Sequence, residues 1–233
     1  MSYETLEADG TWKAKTVEWP AAQPIVLNGL GFRKILLKPL GLEKQFNGKN
    51  LDGWKTYSNA EFPEFQAVFG VDSENHRLTI KNGPGMLESK DSYADFVLQA
   101  SVFTAAENLN SGIFFRCIPG EKMNGYESQI HNGTVDGDRA KPLDAGTGAI
   151  FRRTQARWVP ADDKTLFFKT IVADGAHISV WVNGLQVTDW TDTRKPNANP
   201  RRGLRLEAGT LMLQAHDATT DVYFQDIAIC PLK

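Results

Sequence analysis

What the chain lacks narrows its identity first. Only two of its 233 residues are cysteine, Cys117 and Cys230. They lie far apart in apolar, strand-like runs, which reads as free buried thiols rather than a disulfide. No local Cys or His spacing matches a structural zinc site. Charge of one sign is missing too: 26 Lys and Arg are interspersed with 28 Asp and Glu, for a net charge of −2. The pairs Arg152–Arg153 and Arg201–Arg202 are short and isolated, so no basic stripe points to nucleic acid. No apolar run has the length of a membrane-spanning helix. The opening MSYETLEADGTWKAK has no basic-then-apolar leader pattern, so the chain as it stands reads as cytoplasmic. A chain whose leader had been removed would read the same way and be periplasmic or secreted. Low-complexity tracts are absent, and helical spacing is confined to one or two turns in LGLEKQF (Leu40 to Phe46).

What is there is a succession of short apolar runs separated by turn clusters. Residues 1–42 differ from the rest, with irregular apolar spacing and repeated Pro and Gly. They read as an extended arm holding at most a short strand or helical turn, and as a candidate contact for a homo-oligomer. From residue 43 to residue 233 the pattern is that of antiparallel strands. ADFVLQASVFTA sets Phe96, Leu98, Ala100 and Val102 on one face. SGIFFRCIPG sets Ile113, Phe115 and Cys117 against Phe114, Arg116 and Ile118. In TLFFKTIVADGAHISVWVNGLQVTDW, Asp174-Gly175 and Asn183-Gly184 mark two tight hairpins. In TDVYFQDIAIC the apolar phase slips between Phe224 and Ile227, which predicts a bulge. The expected fold is all-β: a two-sheet antiparallel sandwich of jelly-roll type.

The stretch GYESQIHNG carries the candidate chemistry. On a strand, Glu127, Gln129 and His131 project to one face and Tyr126, Ser128 and Ile130 to the other. A solvated polar face is the ordinary explanation for such a row. Burial of an unpaired, ionised Glu127 in the core would cost several kcal/mol, so the row is expected to meet water, a partner or a substrate. LQAHD repeats the pattern with Gln214 and His216, NLNSG adds Asn110, and NSGIFFRC adds Arg116 among aromatics. Trp158, in a Pro-flanked irregular stretch, is a candidate for stacking on a sugar face. Trp54 in the GW pair reads as a core anchor.

Taken in order, QFNGKNLDGWK, YADFVLQASVF, NSGIFFR, GYESQIHNG, GTGAIF, VWVNGLQVTDWTD and the closing LQAHD and VYFQDIAI resemble the 3-keto-disaccharide hydrolase domain family. The resemblance runs from about Glu43 to Lys233 and omits the N-terminal arm. VPADDKTLFFK departs from the family pattern, which has a Gly-Glu-Trp-Asn-like segment there. The resemblance implies a concanavalin A-like jelly roll and a carbohydrate substrate, a glycoside already oxidised to a ketone at C3. Such a ketone acidifies the C2 proton; its removal gives an enolate, and expulsion of the C1 substituent breaks the glycosidic bond, with or without later addition of water. The activity would be that of a hydrolase or a lyase.

This chemistry needs a base, an electrophile at the enolate oxygen and an acid for the leaving group. Glu127 or His216 would be the base, and the other of the two, or His131, the acid. Arg116 would bind the enolate or a hydroxyl. Gln129, His131, Asn110, Gln214 and Trp158 would orient the substrate. A divalent metal held by Glu127, His131 and His216 is the alternative electrophile. The loop NGTVDGDRAKPLDAG, with Asp136, Asp138 and Asp144, would bind calcium or form a lid, or be a solvated acidic loop. Against the enzyme stands a non-catalytic carbohydrate-binding module on the same fold, which would show an aromatic-lined groove and no perturbed acid or base.

Overall fold

The structure, a computed structural model, describes residues 2–17, 32–36 and 41–232. The chain divides into two compact units, Met1–Gly41 and Leu42–Lys233. In the first, β1 (Ser2–Leu6), β2 (Trp12–Thr16) and β3 (Phe32–Leu36) pair antiparallel in the order β2-β1-β3. This is more sheet than the arm's sequence suggests. Asp9 accepts a hydrogen bond from the Thr11 N–H at 2.9 Å, and Gly10, at a φ of +80°, completes the turn between β1 and β2. That Asp-Gly turn is a hairpin signal, but the strand after it shows no apolar alternation because every residue of β2 is exposed. Much of the Pro- and Gly-rich part of the arm, residues 18–31 and 37–40, lies outside the described residues.

The second unit contains β4 (Glu43–Lys44), β5 (Trp54–Thr56), β6 (Val68–Asp72), β7 (Arg77–Lys81), β8 (Gly85–Tyr93), β9 (Phe96–Thr104), β10 (Ser111–Cys117) and β11 (Tyr126–Ile130). It continues with β12 (Thr134–Val135), β13 (Asp138–Pro142), β14 (Phe167–Asp174), β15 (His177–Val182), β16 (Leu185–Thr191), β17 (Gly209–Ala215) and β18 (Asp221–Pro231). Among the described residues there is no helix. The described part of LGLEKQF supplies β4 instead, paired to β18 through Lys44↔Ala228 and Glu43↔Ile229.

Two antiparallel sheets form the sandwich. One has five strands in the order β11-β10-β17-β8-β5. The other has eight, β16-β15-β14-β9-β18-β7-β6 with β4 added to β18. Alternation at period two builds the core between them: Phe96, Leu98, Ala100 and Val102 of β9 and Ile113 and Phe115 of β10 belong to one buried cluster. Both Asx-Gly hairpins are in place, with φ of +53° at Gly175, +50° at Asn183 and +80° at Gly184. The phase slip in β18 is a bulge at Asp226, between the Gln225 and Ala228 pairs. Trp54 is a core residue whose Nε1 donates to the Gln45 carbonyl at 2.9 Å.

The other face of the five-stranded sheet positions the site. A smaller apolar cluster there, with Tyr57, Phe65, Met86, Phe114, Met123 and Met212, fills the β8–β10–β17 side. The edge strand β11 is left to carry polar side chains on this face.

Candidate active site

β11 is pinned on every side. Its pairing with β10 runs Ser111↔Ile130, Gly112↔Gln129 and Phe114↔Glu127. Its outer edge is bonded to the segment 147–151: Gln129 N–H donates to the Ala149 carbonyl at 3.0 Å, and Phe151 N–H to the Glu127 carbonyl at 2.9 Å. From the core, Lys169 Nζ donates to the carbonyls of Ser128 and Gln129, both at 2.7 Å. Lys169 is fully buried and burial pushes its pKa well down, yet a neutral amine still provides two hydrogens for those two bonds. The strand carrying Glu127 is therefore held by backbone contacts, not by the groups it presents.

On the face turned away from the core the register forms rows. Glu127 opposes Phe114, which opposes Met212, which opposes Glu88. One row on, Gln129 opposes Gly112, with Gln214 beyond it opposite Met86. Just past or before the strand ends on the same face come His131, Asn110 and His216. Gly112 lets the first row reach the second, since a Cβ there would lie 2.9 Å from Glu127 Oε1. The carboxyl thus occupies the place where any other residue would put a side chain, between the two glutamines. Gly112→Ala is expected to displace the carboxyl and to cost about 1–3 kcal/mol of stability, because the added Cβ also presses on the Glu127 stem at 3.1 Å and the buried Phe114 ring at 3.2 Å. Turnover should fall roughly 10- to 100-fold, since small misplacements of a reacting group are costly. Thermal unfolding measured beside initial rates checks both halves.

Glu127 is 8% exposed, and its carboxyl makes no hydrogen bond or ion pair among the described residues. Burial pushes its pKa up to about 7, against the pull of Arg201, Lys169 and Arg152. It opens on a cavity of about 220 Å³ whose wall includes Tyr126, Ile150, Phe151, Arg152, Arg153 and Arg201. A nearly buried carboxyl with no partner and a proton affinity near neutrality is suited to act as a base.

The neighbouring groups are partly preorganised. Asp144 accepts from Gln129 Nε2 at 2.9 Å and from Asn110 Nδ2, fixing both amides. The oxygens Asn110 Oδ1 and Gln214 Oε1 are buried without a partner. His131 Nδ1 accepts from the Gly133 N–H at 3.3 Å, so in its neutral form the ring carries its proton on Nε2. His216 is exposed, its Nδ1 2.8 Å from Asp217 Oδ2, and β10 separates its strand from β11.

A family model described as a 3-keto-alpha-glucoside-1,2-lyase-like domain matches residues 41–230. The chain belongs to that family. Among solved structures, a Parabacteroides distasonis protein described as a proposed glycosyl hydrolase aligns with a TM-score of 0.64 at 18% identity, covering 83% of this chain and 94% of that one. The Bacillus licheniformis β-glucanase gives 0.53 at 13%, covering 84% and 100%. The Bacillus subtilis carbohydrate-binding module CBM66 gives 0.50 at 16%, covering 75% and 93%. At these identities the likeness shows the fold, and the lyase-like domain is a concanavalin A-like sandwich. No curated protein matches the chain at a significant level.

The lyase-like domain departs from the sequence expectations at three points. Arg116 is not on the Glu127 face. A bulge between the Phe114 and Cys117 pairs, with Arg116 at a φ of +49°, turns its side chain inward. There it is fully buried and donates to the Ala94 and Arg205 carbonyls and to Asp95 Oδ1, at 2.7, 3.0 and 2.7 Å. Cys117 moves to the outer cluster for the same reason. Trp158, 40% exposed, is neither on the Glu127 strand face nor in the wall of the Glu127 cavity. Of the expected site residues, Glu127 alone belongs to that wall, and Gln129, His131, Asn110 and Gln214 do not. Finally, no three His, Cys, Asp or Glu side chains among the described residues lie close enough to hold a metal, so Glu127, His131 and His216 are not gathered as ligands.

Glu127, Gln129, His131, Asn110 and Gln214 do share one face. The sequence pattern does not single out Gly112 or Lys169, and it marks Arg152–Arg153 and Arg201–Arg202 only as pairs too short for a nucleic-acid stripe. It offers Asp144 as a calcium ligand, whereas Asp144 orients two amides. Period-two alternation carries no signal for any of these, because each contact joins segments distant in sequence. No helix among the described residues is long and apolar enough to cross a membrane.

Proposed function

We propose that this protein cleaves glycosides oxidised to a ketone at C3 of the sugar, by β-elimination with Glu127 as the base. The observation that carries the reading is the Glu127 carboxyl, almost buried, bonded to nothing and held over Gly112 at the wall of a cavity. Glu127 takes the proton from C2, and the electron pair delocalises onto the C3 oxygen. The unpartnered amide of Gln214 donates to that oxygen as its charge develops. The enolate then reforms the carbonyl, a C1–C2 double bond appears, and the bond from C1 to the leaving oxygen breaks. That oxygen accepts a hydrogen bond from the His131 Nε2–H and takes its proton from water. Glu127 returns to its starting state by releasing its proton to water. Gln129 and Asn110, oriented by Asp144, position the ring hydroxyls. Unlike ordinary glycoside hydrolysis, this scheme requires no opposed pair of carboxylates.

The test offers the purified protein a 3-oxo-disaccharide and its unoxidised parent and follows release of the reducing sugar. Release from the oxidised compound alone is expected, at a rate that a chelator leaves unchanged. Tight binding of the parent with release from neither would identify a carbohydrate-binding module instead.

A further inference from the structure

We propose that the glycoside accepted by this cavity carries an anionic group, a carboxylate or an equivalent oxyanion, held by Arg152 and Arg201 with Arg153 bracing them. The inference deepens the proposed function and rests on it for the reaction, but its argument comes from three guanidinium groups to which the elimination gives no work.

Two arginine pairs that are remote in sequence meet at one wall. Arg153 Nη1 donates to the Arg152 carbonyl at 3.0 Å and its Nη2 to the Arg201 carbonyl at 2.7 Å, tying the two segments together. Arg201 lies 5.9 Å from the Phe114 ring centroid, and its Nε and Nη2 donate to the Met123 carbonyl at 3.1 and 2.7 Å, leaving Nη1 open. Arg152 stands in the left-handed region at a φ of +60°, with its guanidinium 5.4 Å from the Phe151 centroid. Among the described residues that guanidinium has no hydrogen-bond partner.

Charge balance makes the arrangement informative. Arg116, Arg139, Arg194 and Arg205 each pair with an Asp or Glu. None of the three cavity arginines does so among the described residues; Arg77, Arg157 and Arg202 have no acid partner there either, but only Arg152, Arg153 and Arg201 meet at one cavity wall. The acid on the same wall, Glu127, is out of ion-pair reach and holds its proton up to about pH 7. The cavity is thus lined by excess positive charge beside the reacting carboxyl. The amides of Gln129, Asn110 and Gln214, which suit neutral hydroxyls, are not part of this wall. A planar guanidinium fork matches the two oxygens of a carboxylate or phosphate.

The anion has two places to sit, the leaving group or C6 of the sugar, and two matched comparisons separate them. Calorimetry measures binding of 4-carboxyphenyl α-glucoside against its 4-carbamoylphenyl analogue, and of phenyl α-glucuronide against phenyl α-glucoside. An acid preference of about tenfold or more is expected in one arm at low salt, shrinking at about 0.5 M salt as screening sets in. Arg152→Gln, whose side chain holds no other part of the chain, should cut that preference by about threefold or more. The double variant R152Q/R201Q should bring it close to unity. Equal binding of acid and neutral compounds in both arms overturns the proposal, as does a preference that survives the double variant. The 3-oxo forms of the same compounds then separate the two ideas. Acid-selective binding with no cleavage of any 3-oxo form sinks the elimination and leaves the anion site standing. Cleavage of all four without acid preference does the reverse.

Discussion

Replacing Glu127 by Gln is expected to lower turnover on a 3-oxo-glycoside by about a thousandfold and, at the same time, to make the protein more stable at alkaline pH. The first effect follows from loss of a positioned base, which contributes roughly 10²- to 10⁴-fold. In the wild type kcat/KM should rise with pH and reach half its plateau at about 7, where the Glu127 carboxyl loses its proton. The second effect has a definite sign. Folding raises the pKa of Glu127 from 4.5 to about 7, so between those values the folded chain keeps a proton that the unfolded chain has lost. Stability therefore falls as pH rises through that window, by about 1.4 kcal/mol per pH unit and about 3 kcal/mol in all, and is flat above it.

Gln cannot ionise, so E127Q escapes that loss. Denaturant titrations at pH 4 and pH 8 should show the two proteins alike at the acid end and the variant ahead by up to about 3 kcal/mol at the alkaline end. The residue is placed for reactivity at a cost to stability, as a base with no partner in the resting state must be. A variant equal to wild type in turnover would remove Glu127 from the chemistry. A variant less stable at pH 8 would show that the carboxyl has a structural partner.

Legibility in the sequence followed the range of the contacts involved. Asp174-Gly175 and Asn183-Gly184 are readable because a tight hairpin is decided by the backbone freedom of two adjacent residues. The shared face of Glu127, Gln129 and His131 is readable because alternation is a property of one strand. Phe168 and Lys169 show where residue hydropathy misleads although period-two burial holds along β14. Hydropathy would bury the phenylalanine and expose the lysine, yet Phe168 is 59% exposed and Lys169 is buried, its amine hydrogens spent on two β11 carbonyls. The cavity wall was invisible for a different reason. Arg153 and Arg201 meet only because the sheet folds one loop over another. Arg116 was misplaced by a single residue at positive φ, a conformation that non-glycine residues rarely adopt and that no local pattern announces.

That misplacement makes the largest stability prediction. Arg116 is fully buried, and desolvation disfavours its charge, which Asp95 restores most strongly. Its three donated bonds join the segment Ala94–Asp95, the Arg205 loop and the bulge of β10, while Asp95 Oδ1 also accepts from the Gly175 N–H at 2.9 Å. Arg116→Met keeps most of the apolar stem but leaves the Ala94 and Arg205 carbonyls without their donors and Asp95 without its cation. Breaking a buried pair in this way costs about 3–5 kcal/mol. The lower end applies here, because the Asp95 side chain is 38% exposed and water can reach it.

The urea midpoint should fall accordingly with an unchanged slope, marking a loss of stability rather than a change in the unfolded state. Arg116→Lys should recover only part of the loss, since an ammonium keeps the charge but cannot reproduce the fork that reaches three acceptors. Rates per folded molecule should stay within about twofold of wild type, because the side chain faces away from Glu127 and catalysis requires contact or positioning. Wild-type stability together with collapsed turnover in Arg116→Met would return the guanidinium to the active site and refute the inward orientation that the bulge gives it.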